Sequence, residues 1–357
     1  MNNIVFAEYL WIDGTRPTAQ LRSRARVVSV PGNPAPADFP SWGFDGSSTG
    51  QASSDNADCL LQPVRVYRDP LRPGHHFLVL CEVLAADGRP HSSNKRIQLR
   101  ALLDIVAANE SPWLGFEQQY TLFESGLPLG FEPGSNPRPQ GSHYCAVGGD
   151  CIRGRDFVDT HATACVKAGI LFYGSNGGGM PGQWEFQVGQ RGFRGEDPGA
   201  LRVADDLWVA RYLLYRCGER LGVSVSLDPK PVPGDWAGAG LHTSFSTLST
   251  RNPGLGLAAI YRLIDILEEV HADHLRHYGE RLAERLTGRQ STSDFAAFSY
   301  GVAHRGASIR IPQSVAQQGQ GYLEDRRPGA NADPYVVASC LVGAIGRLLS
   351  KPGERAA

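Results

Sequence analysis

Four polar side chains, most of them in otherwise apolar, strand-like segments, could hold a metal ion. They are Glu117, Glu185, His242 and Glu324. Carboxylates and an imidazole on the face of a sheet are unfavourable unless they are paired or bind a cation. Several carboxylates with one imidazole suit Mg²⁺ or Mn²⁺ better than Zn²⁺. The pattern indicates a candidate site for one of these ions, and exposed or salt-bridged carboxylates are the alternative.

A second group of candidate functional residues is basic and lies in the last quarter of the sequence. It consists of Arg285, Arg305, Arg310, Arg326 and Arg327. A guanidinium group can bind carboxylate or phosphate through two parallel hydrogen bonds. A divalent metal beside several arginines favours phosphoryl chemistry, in which positioning and charge neutralisation speed the reaction. Each arginine taken alone could equally be solvated or paired with an acid.

Strands and helices in alternation must position these side chains. The first hundred residues read as short strands, with a polar, Gly-, Ser- and Thr-rich stretch at Trp42–Gln51. Beyond a helix predicted at Ile97–Asn109, strands with polar groups alternate with amphipathic helices. The predicted strands are Leu21–Val30, Val64–Tyr67, Phe77–Val83, Trp113–Leu122, Trp184–Val188, Ala239–Phe245 and Ser308–Pro312, and the later helices are Phe157–Ala168, Asp206–Leu221, Leu257–Glu280 and Tyr335–Ser350. This pattern is typical of an α+β domain whose sheet carries a site.

Three histidines of the long predicted helix follow each other at intervals of three residues. They are His271, His274 and His277. Successive side chains at this spacing lie about 300° apart around the helix axis and drift around one face. We interpret them as part of a solvated helix surface rather than as a metal cluster.

The composition is that of a soluble protein with room for two domains. The sequence has 357 residues, of which 41% are hydrophobic and 20% are charged, and its formal net charge is −1. This balance predicts neither nucleic acid nor a membrane as a partner. The 7 cysteines form no CxxC pair, and the N-terminus lacks the pattern of a secretory signal. These features predict free thiols in the cytoplasm.

Several short segments, spread in order along nearly the whole chain, carry a family resemblance. They are Tyr9–Gly14, Gly43–Thr49, Met180–Gln187, Asp228–Pro231, Gly234–Trp236, Arg285–Gly288, Ser308–Pro312 and Glu324–Pro328. These segments resemble motifs of type II glutamine synthetases, the eukaryote-like and actinobacterial kind. The resemblance implies an α+β fold, with an N-terminal β-grasp domain at 1–100 and a catalytic domain at 101–357. In the catalytic domain, helices would flank a curved antiparallel sheet.

The resemblance also implies an activity and an assembly. The family's members use ATP to convert a small-molecule acid into an acyl phosphate, which an amine then attacks. Metal ions neutralise the crowded anions of such a site. The sites form between neighbouring subunits of a ring-shaped homo-oligomer, here predicted to be a decamer. The loop around Asp45 would therefore serve the site of the next subunit.

Matching the chain to the family's motifs gives each candidate residue an implied role. The metal site that faces the nucleotide would consist of Glu117, His242 and Glu324, and of the second metal site only Glu185 remains. The implied nucleotide contacts are Glu185, Ser246 and Arg310, and the implied substrate contacts are Gly238, Arg285, Arg305 and Arg326. The implied catalytic residues are Asp45, Arg305 and Arg326.

Four positions depart from the family's pattern, and all would face glutamate or ammonia. They are Gln119, Gly178, Ala237 and Ser291, where the family has Glu, Glu, Asn and Glu. The second metal site loses two negative charges, so we expect it to bind metal weakly or not at all. ATP with fewer Mg²⁺ or Mn²⁺ ions than the family uses is the predicted cofactor set. The changes at 178, 237 and 291 also predict a larger and less charged pocket.

Three functions fit this pattern. The favoured one is an ATP-dependent carboxylate–amine ligase repurposed for a different acid or a non-ammonia amine, in specialised metabolism. The alternative is a non-catalytic paralogue that acts as a scaffold or a regulator. An ordinary glutamine synthetase is the third. The intact arginines and nucleotide-side metal ligands favour the first, because random loss of function would not be expected to spare them.

Overall fold

The N-terminal part of the chain forms one sheet of five strands. A computed structural model describes residues 2–350, with side chains to residue 349. The strands are β1 (Asn3–Ile12), β2 (Leu21–Val30), β3 (Trp42–Asp45), β4 (Asp58–Arg68) and β5 (Phe77–Ala85), in the order β2-β1-β5-β4-β3. The pair β1–β5 is parallel and the other pairs are antiparallel. The strands predicted in this part of the sequence are confirmed.

This sheet is curled so that its two edge strands meet. The guanidinium carbon of Arg24, on β2, lies 3.5 Å from the ring centre of Trp42, on β3. Nη1 of Arg24 also donates a hydrogen bond of 2.9 Å to the carbonyl of Gly43. The polar stretch predicted at Trp42–Gln51 therefore begins with a short edge strand, which Arg24 holds against the opposite edge.

The second sheet carries nine strands and has a mostly antiparallel order. They are β6 (Trp113–Glu124), β7 (Leu127–Pro128), β8 (Phe172–Gly177), β9 (Gln183–Gly189), β10 (Ser224–Ser226), β11 (Leu241–Ser246), β12 (Tyr300–Val302), β13 (Ile309–Ile311) and β14 (Leu323–Asp325). The order is β12-β13-β14-β11-β6-β9-β8, and β7 and β10 also pair with β6. The edge pair β12–β13 is parallel. The central strands β6, β9, β11 and β14 lie side by side.

Eight helices surround this sheet. They are α1 (Lys95–Glu110), α2 (Arg155–Ala168), α3 (Ala200–Leu221), α4 (Gly256–Glu269), α5 (His271–Leu275), α6 (Leu282–Arg285), α7 (Gln313–Gln318) and α8 (Pro334–Ser350). Helix α3 is almost entirely buried between the sheet and its neighbours α2 and α8. The predicted α+β class is confirmed. No helix between residues 2 and 350 is long and apolar enough to cross a membrane. The domain boundary predicted at residue 100 falls within α1 and stays a prediction.

Two adjacent aspartates on α3 join the N-terminal sheet to the helices of the second part of the chain. Asp206 accepts a hydrogen bond of 2.7 Å from the hydroxyl of Tyr67, on β4. Asp205 accepts hydrogen bonds from Nε and Nη2 of Arg96, on α1, at 2.8 and 2.9 Å. It also accepts one of 2.7 Å from the hydroxyl of Tyr335, on α8. Both aspartates are fully buried. Because buried carboxylates need such partners, these contacts fix the N-terminal sheet against α1, α3 and α8.

The prediction of one long helix at Leu257–Glu280 is wrong. Helix α4 ends at Glu269, and α5 starts again at His271 after a break at Val270. The last two residues of α5, His274 and Leu275, are buried, whereas Ala272 and Asp273 are exposed. His274 is buried, and its Nδ1 lies 3.0 Å from the hydroxyl of Tyr278 and 3.4 Å from Nη2 of Arg327. The solvated surface predicted for the three histidines therefore holds for His277 but not for His274.

The buried histidine His161 makes a testable contribution to the pH dependence of stability. Its Nε2 donates a hydrogen bond of 3.0 Å to the carbonyl of Ala210, and burial lowers its pKa to about 4 from the ordinary 6.5. As pH falls below 6.5 the unfolded chain takes up the proton first, so stability decreases towards pH 4. The limit of this single-site effect is about 3 kcal/mol.

The prediction is that His161→Gln flattens the decline of the unfolding free energy between pH 7 and 4, measured by urea denaturation. The exposed His277 offers the matched control, because His277→Gln should leave the slope unchanged. Equal slopes for the two variants would contradict a neutral, buried His161.

Candidate active site

The register of the central strands places the predicted metal-binding residues on one face of the second sheet. Glu117 on β6 stands directly opposite His242 on β11, and Gln119 stands opposite Glu185 on β9. Glu324 on β14 stands opposite Ser244, two residues along β11 from His242 and therefore on the same face. Because side chains alternate along a strand, positions 117 and 119 share a face. The structure thus brings Glu117, Glu185, His242 and Glu324 together.

His242 occupies the middle of this cluster and is bonded through both ring nitrogens. Nδ1 lies 2.6 Å from Oε1 of Glu117, and Nε2 lies 3.1 Å from Nη2 of Arg285. Burial, together with Arg326, lowers the pKa of His242 well below its ordinary value, so the ring is neutral. We assign the proton to Nδ1, because Nε2 faces a guanidinium donor and must accept.

Arg285 is buried beneath the cluster. Its Nη1 donates to the carbonyls of Arg326 and Arg327 at 3.1 and 3.2 Å, whereas its buried Nε has no acceptor in the described part of the chain. Burial lowers the pKa of Arg285 to about 9. A Cβ at Gly240 would lie 2.2 Å from Nη2 of Arg285. Glycine at this position therefore makes room for the guanidinium, whose Nε remains available to a ligand.

Glu324 is neutralised by two arginines. Nη1 of Arg310 donates to Oε2 at 2.6 Å, and Nη1 of Arg326 donates to Oε1. Burial alone would raise the pKa of Glu324, but the neighbouring cations outweigh it and lower the pKa. Nε of Arg310 is buried and lacks an acceptor between residues 2 and 349. Glu324 is therefore an ionised carboxylate whose arginine partners keep a free donor.

Glu185 is held by amides rather than by cations. Nε2 of Gln119 donates to Oε2 at 3.0 Å, and Nε2 of Gln187 lies 3.3 Å from Oε1. Burial, together with the charge of Glu117, raises the pKa of Glu185 to about 7. Burial and Glu324 raise the pKa of Glu117 as well. The two halves of the site therefore differ in the partners that balance their carboxylates.

The donor set on the nucleotide side has the chemistry of a Mg²⁺ or Mn²⁺ site. The set consists of two carboxylates and one imidazole: Nδ1 of His242 lies 2.6 Å from Oε1 of Glu117 and 3.8 Å from Oε1 of Glu324. Within residues 2–349, no three His, Cys, Asp or Glu side chains are already arranged to hold an ion. Glu117, His242 and Glu324 would be the residues that hold it, and it would neutralise anionic charge there.

A cavity of about 540 Å³ opens beside Glu117. Its wall includes Ser246, one of the predicted nucleotide contacts, together with Trp113 and Tyr322. The guanidinium carbon of Arg251 lies 4.0 Å from the ring centre of Trp113, and Nη1 donates to Oγ of Ser246 at 2.8 Å. A flat aromatic and cationic platform suits a planar base. Sequence reasoning missed Trp113 and Arg251, because their contact joins residues far apart in the chain.

The mouth of the site is covered by a turn that contains Ser291. Gln290 and Ser291 both have positive φ angles, of 51° and 60°. Nε2 of Gln290 donates to Oδ1 of Asp235 at 2.7 Å, and Nη2 of Arg326 points to the carbonyl of Ser291 at 3.4 Å. Arg305 is exposed beside this turn, and its carbonyl accepts a bond of 2.8 Å from Nε of Arg326. The turn therefore closes over the arginines.

The space beside the glycines and Ala237 is filled by amide side chains. Oε1 of Gln140 accepts the N–H of Ala237 at 2.9 Å. Nε2 of Gln183 donates to the carbonyl of Gly238 at 3.1 Å. The predicted larger pocket is therefore not an open space in this structure, whereas the predicted loss of charge is present.

Asp45 lies apart from these residues, at the end of β3 in the N-terminal sheet. Its carboxylate accepts the hydroxyls of Ser47 and Ser48, both at 2.6 Å. These hydrogen bonds lower the pKa of Asp45 to about 2. It is a fixed, ionised carboxylate on an exposed loop.

Comparison with known proteins matches nearly the whole chain. Residues 3–86 match the family described as glutamine synthetase, beta-Grasp domain, and residues 95–347 match glutamine synthetase, catalytic domain. The chain is 50% identical over 351 residues to a glutamine synthetase of Streptomyces viridochromogenes, covering 98% of each protein. It is 47% identical over 340 residues to a cytosolic isozyme of Daucus carota, covering 94% of this chain and 93% of that one.

Solved structures show the same fold at lower identity. Ligand-free GmaS superposes with a TM-score of 0.72 at 21% identity, covering 98% of this chain and 80% of that one. Glutamine synthetase of Plasmodium falciparum gives a TM-score of 0.77 at 14% identity, covering 98% of this chain and 73% of that one. With both domains matched and half of the residues identical to a curated relative, the chain belongs to the glutamine synthetase family of ATP-dependent ligases.

Proposed function

We propose that this protein is an ATP-dependent carboxylate–amine ligase whose nucleophile is a neutral amine other than ammonium. The acid substrate is activated as an acyl phosphate, and the pathway belongs to specialised metabolism. The observation that carries the proposal is the difference between the two halves of the site. Arginines balance the carboxylate Glu324 on the nucleotide side, whereas the amides of Gln119 and Gln187 surround Glu185 on the other.

The charge of the site favours anions over cations. Three carboxylates, Glu117, Glu185 and Glu324, face four arginines, Arg285, Arg305, Arg310 and Arg326. An ammonium ion must enter such a site against this charge and then lose a proton to a base, such as a carboxylate. Ser291 of the covering turn cannot accept that proton as a carboxylate would. A nucleophile that is much less basic than ammonia, such as hydroxylamine or a hydrazine, has a larger neutral fraction at physiological pH, so both obstacles are smaller for it.

The buried donors of the arginines suit an anionic substrate. Nε of Arg285 and Nε of Arg310 have no acceptor among residues 2–349, and each is placed beside a residue of the nucleotide-side cluster. Such donors are unfavourable unless a ligand accepts from them. A carboxylate substrate, its acyl phosphate or the phosphates of ATP supply acceptors of the required charge. We assign substrate contacts to Gly238, Arg285, Arg305 and Arg326, and catalytic roles to Arg305 and Arg326.

ATP and a divalent ion complete the proposed site. The cavity lined by Trp113 and Ser246 takes the nucleotide, with Arg310 and Glu185 nearer to the phosphates. Glu117, His242 and Glu324 hold Mg²⁺ or Mn²⁺, which neutralises phosphate charge when bound. Fewer ions bind than the family uses, because the position opposite Glu185 carries an amide.

Assembly and location follow from the family and from the cysteines. Glutamine synthetases are ring-forming homo-oligomers, and we propose a decamer in which Asp45 of one subunit reaches the site of its neighbour. In that place its ionised carboxylate is the remaining acid near the amine. All seven cysteines are free thiols in the structure. Free thiols are typical of a reducing compartment, which supports the cytoplasm.

A non-catalytic scaffold or regulator is the second candidate. The observation that favours it is that the candidate metal ligands are already paired with each other or with arginines. A protein that no longer binds metal and ATP would have this arrangement.

Nucleotide binding and product formation separate the candidates. We expect ATP with Mg²⁺ to raise the melting temperature, and phosphate release to require both an acid and a neutral amine. The panel pairs glutamate and related acids with hydroxylamine, hydrazine, small organic amines and ammonium. Absence of nucleotide binding would favour the scaffold. Faster turnover with ammonium and glutamate than with every other pair would show an ordinary glutamine synthetase.

A further inference from the structure

Gln119 ties two parts of the active site together through its side-chain amide. Its Nε2 donates to Oε2 of Glu185 at 3.0 Å, and its Oε1 accepts the N–H of Gly240 at 2.7 Å. Its main-chain N–H also donates to the carbonyl of Gly240 at 3.0 Å. The residue therefore connects β9 with the loop Ala237–Gly240, which carries the proposed substrate contact Gly238.

An ionised glutamate at this position could not make both side-chain contacts while Glu185 is ionised. One carboxylate oxygen could accept from Gly240, but the other would face the carboxylate of Glu185. Glu185 is 7% exposed and already close to Glu117. Three carboxylates in one partly buried place repel each other unless a cation lies between them. The amide replaces one of these charges with two N–H donors, so the contact needs no cation.

The missing side chain at Gly178 also serves the same loop. A Cβ at this position would lie 2.8 Å from Oε1 and 2.9 Å from Cγ of Gln183. Gln183 cannot move freely, because its Oε1 accepts from Gly179 at 2.9 Å and its Nε2 donates to Gly238 at 3.1 Å. The space that the family's glutamate at position 178 would need is thus occupied by the amide of Gln183, which is bonded to the Ala237–Gly240 loop.

We propose that Gln119 takes the place of a divalent cation as the group that joins Glu185 to the Ala237–Gly240 loop. The residues around Glu185 do not fit a second metal ion: Glu117 belongs to the nucleotide-side ligands, Gln119 and Gln187 are amides, and position 178 has no side chain. Gln119 is a positioning residue, and it keeps the substrate loop in place without an ion. The inference rests on the proposed function for the meaning of that loop, but its test does not require turnover.

Manganese binding to the variant Gln119→Glu tests the proposal. Wild type, in the full chain, should bind no Mn²⁺ at Glu185. Without divalent ions Q119E should melt roughly 5 °C below wild type, because the added carboxylate faces Glu185. Saturating Mn²⁺ should restore most of that loss and add one bound ion per chain, counted by electron paramagnetic resonance of free Mn²⁺. The matched control is Gln317→Glu, which adds the same charge at an exposed position of α7 and should change neither quantity.

A second variant keeps the test decisive if Q119E does not fold. Gln119→Met removes both side-chain contacts without adding charge, so its melting temperature should fall and Mn²⁺ should not restore it. The proposal is overturned if wild type binds a second Mn²⁺, if Q119E responds to Mn²⁺ no more than Q317E does, or if Q119M melts like wild type. Loss of ATP binding or of product formation would instead contradict the proposed function.

Discussion

Arg285→Lys should lower turnover of the proposed ligase by about 10²- to 10³-fold, which corresponds to about 3–4 kcal/mol of transition-state stabilisation. The guanidinium of Arg285 contacts His242 Nε2 and two main-chain carbonyls, and its buried Nε is left for an anionic ligand. A lysine ammonium has three donors on one atom and cannot span these positions. The reactive phosphate would therefore lose a fixed donor, and His242 would lose its orientation.

Phosphate release with the best acid and amine of the panel measures this effect. Nucleotide affinity, followed by thermal shift, should change much less, because the Trp113 platform is untouched. The exposed Arg220, at the end of α3, provides the control, and Arg220→Lys should keep full turnover. If Arg285→Lys kept more than a tenth of the wild-type rate, Arg285 would be a structural residue only.

Asp325→Asn should lower the free energy of unfolding by about 3–5 kcal/mol. Asp325 and Arg327 are both fully buried on the back of β14, where Nε and Nη2 of the arginine donate at 2.9 and 2.7 Å. The hydroxyl of Tyr278 also donates a hydrogen bond of 2.9 Å to Oδ2 of Asp325. Removing the negative charge leaves the buried guanidinium of Arg327 without its counter-ion, and an unpaired charge in the interior destabilises the folded state.

Urea denaturation at neutral pH tests this expectation. Asp273 and Arg276 form an ion pair of similar length, 2.7 Å, but their side chains are 59% and 68% exposed. Asp273→Asn should therefore change stability by less than about 1 kcal/mol. A similar, small effect for both variants would show that the buried pair does not stabilise the fold.

The sequence predicted that candidate metal-binding side chains share a face of the sheet, because strand alternation is local information, whereas metal binding itself stays a prediction. Glu117 and Gln119 are two residues apart on one strand, so their common face follows from the period of a strand. The family resemblance implied a substrate contact at Arg285, but it did not predict where this side chain lies. The side chain is buried beneath His242, in space that a Cβ at Gly240 would fill. No local sequence pattern predicts this position.

Other features depended on contacts that cross the chain. The stacking of Arg251 on Trp113 joins two segments with no common motif. The helix break at Val270, which precedes the buried His274, has no glycine or proline beside it that would have predicted it. The filling of the pocket by Gln140 and Gln183 depends on tertiary packing, so the sequence could predict the lost charge but not the lost space.

The two aspartates on α3 have a consequence for how substrates reach the site. Asp205 and Asp206, on a helix packed against the second sheet, bind Tyr67 of the N-terminal sheet and residues of two further helices, with all carboxylate oxygens out of water. A hinge between the domains would have to break these bonds in a buried place. We therefore expect the sheets to move as one rigid body, and opening to be confined to small loops. We expect the turn that Gln290 ties to Asp235 to act as the gate, and its exposed hydrogen bond to be among the contacts that break when the site opens.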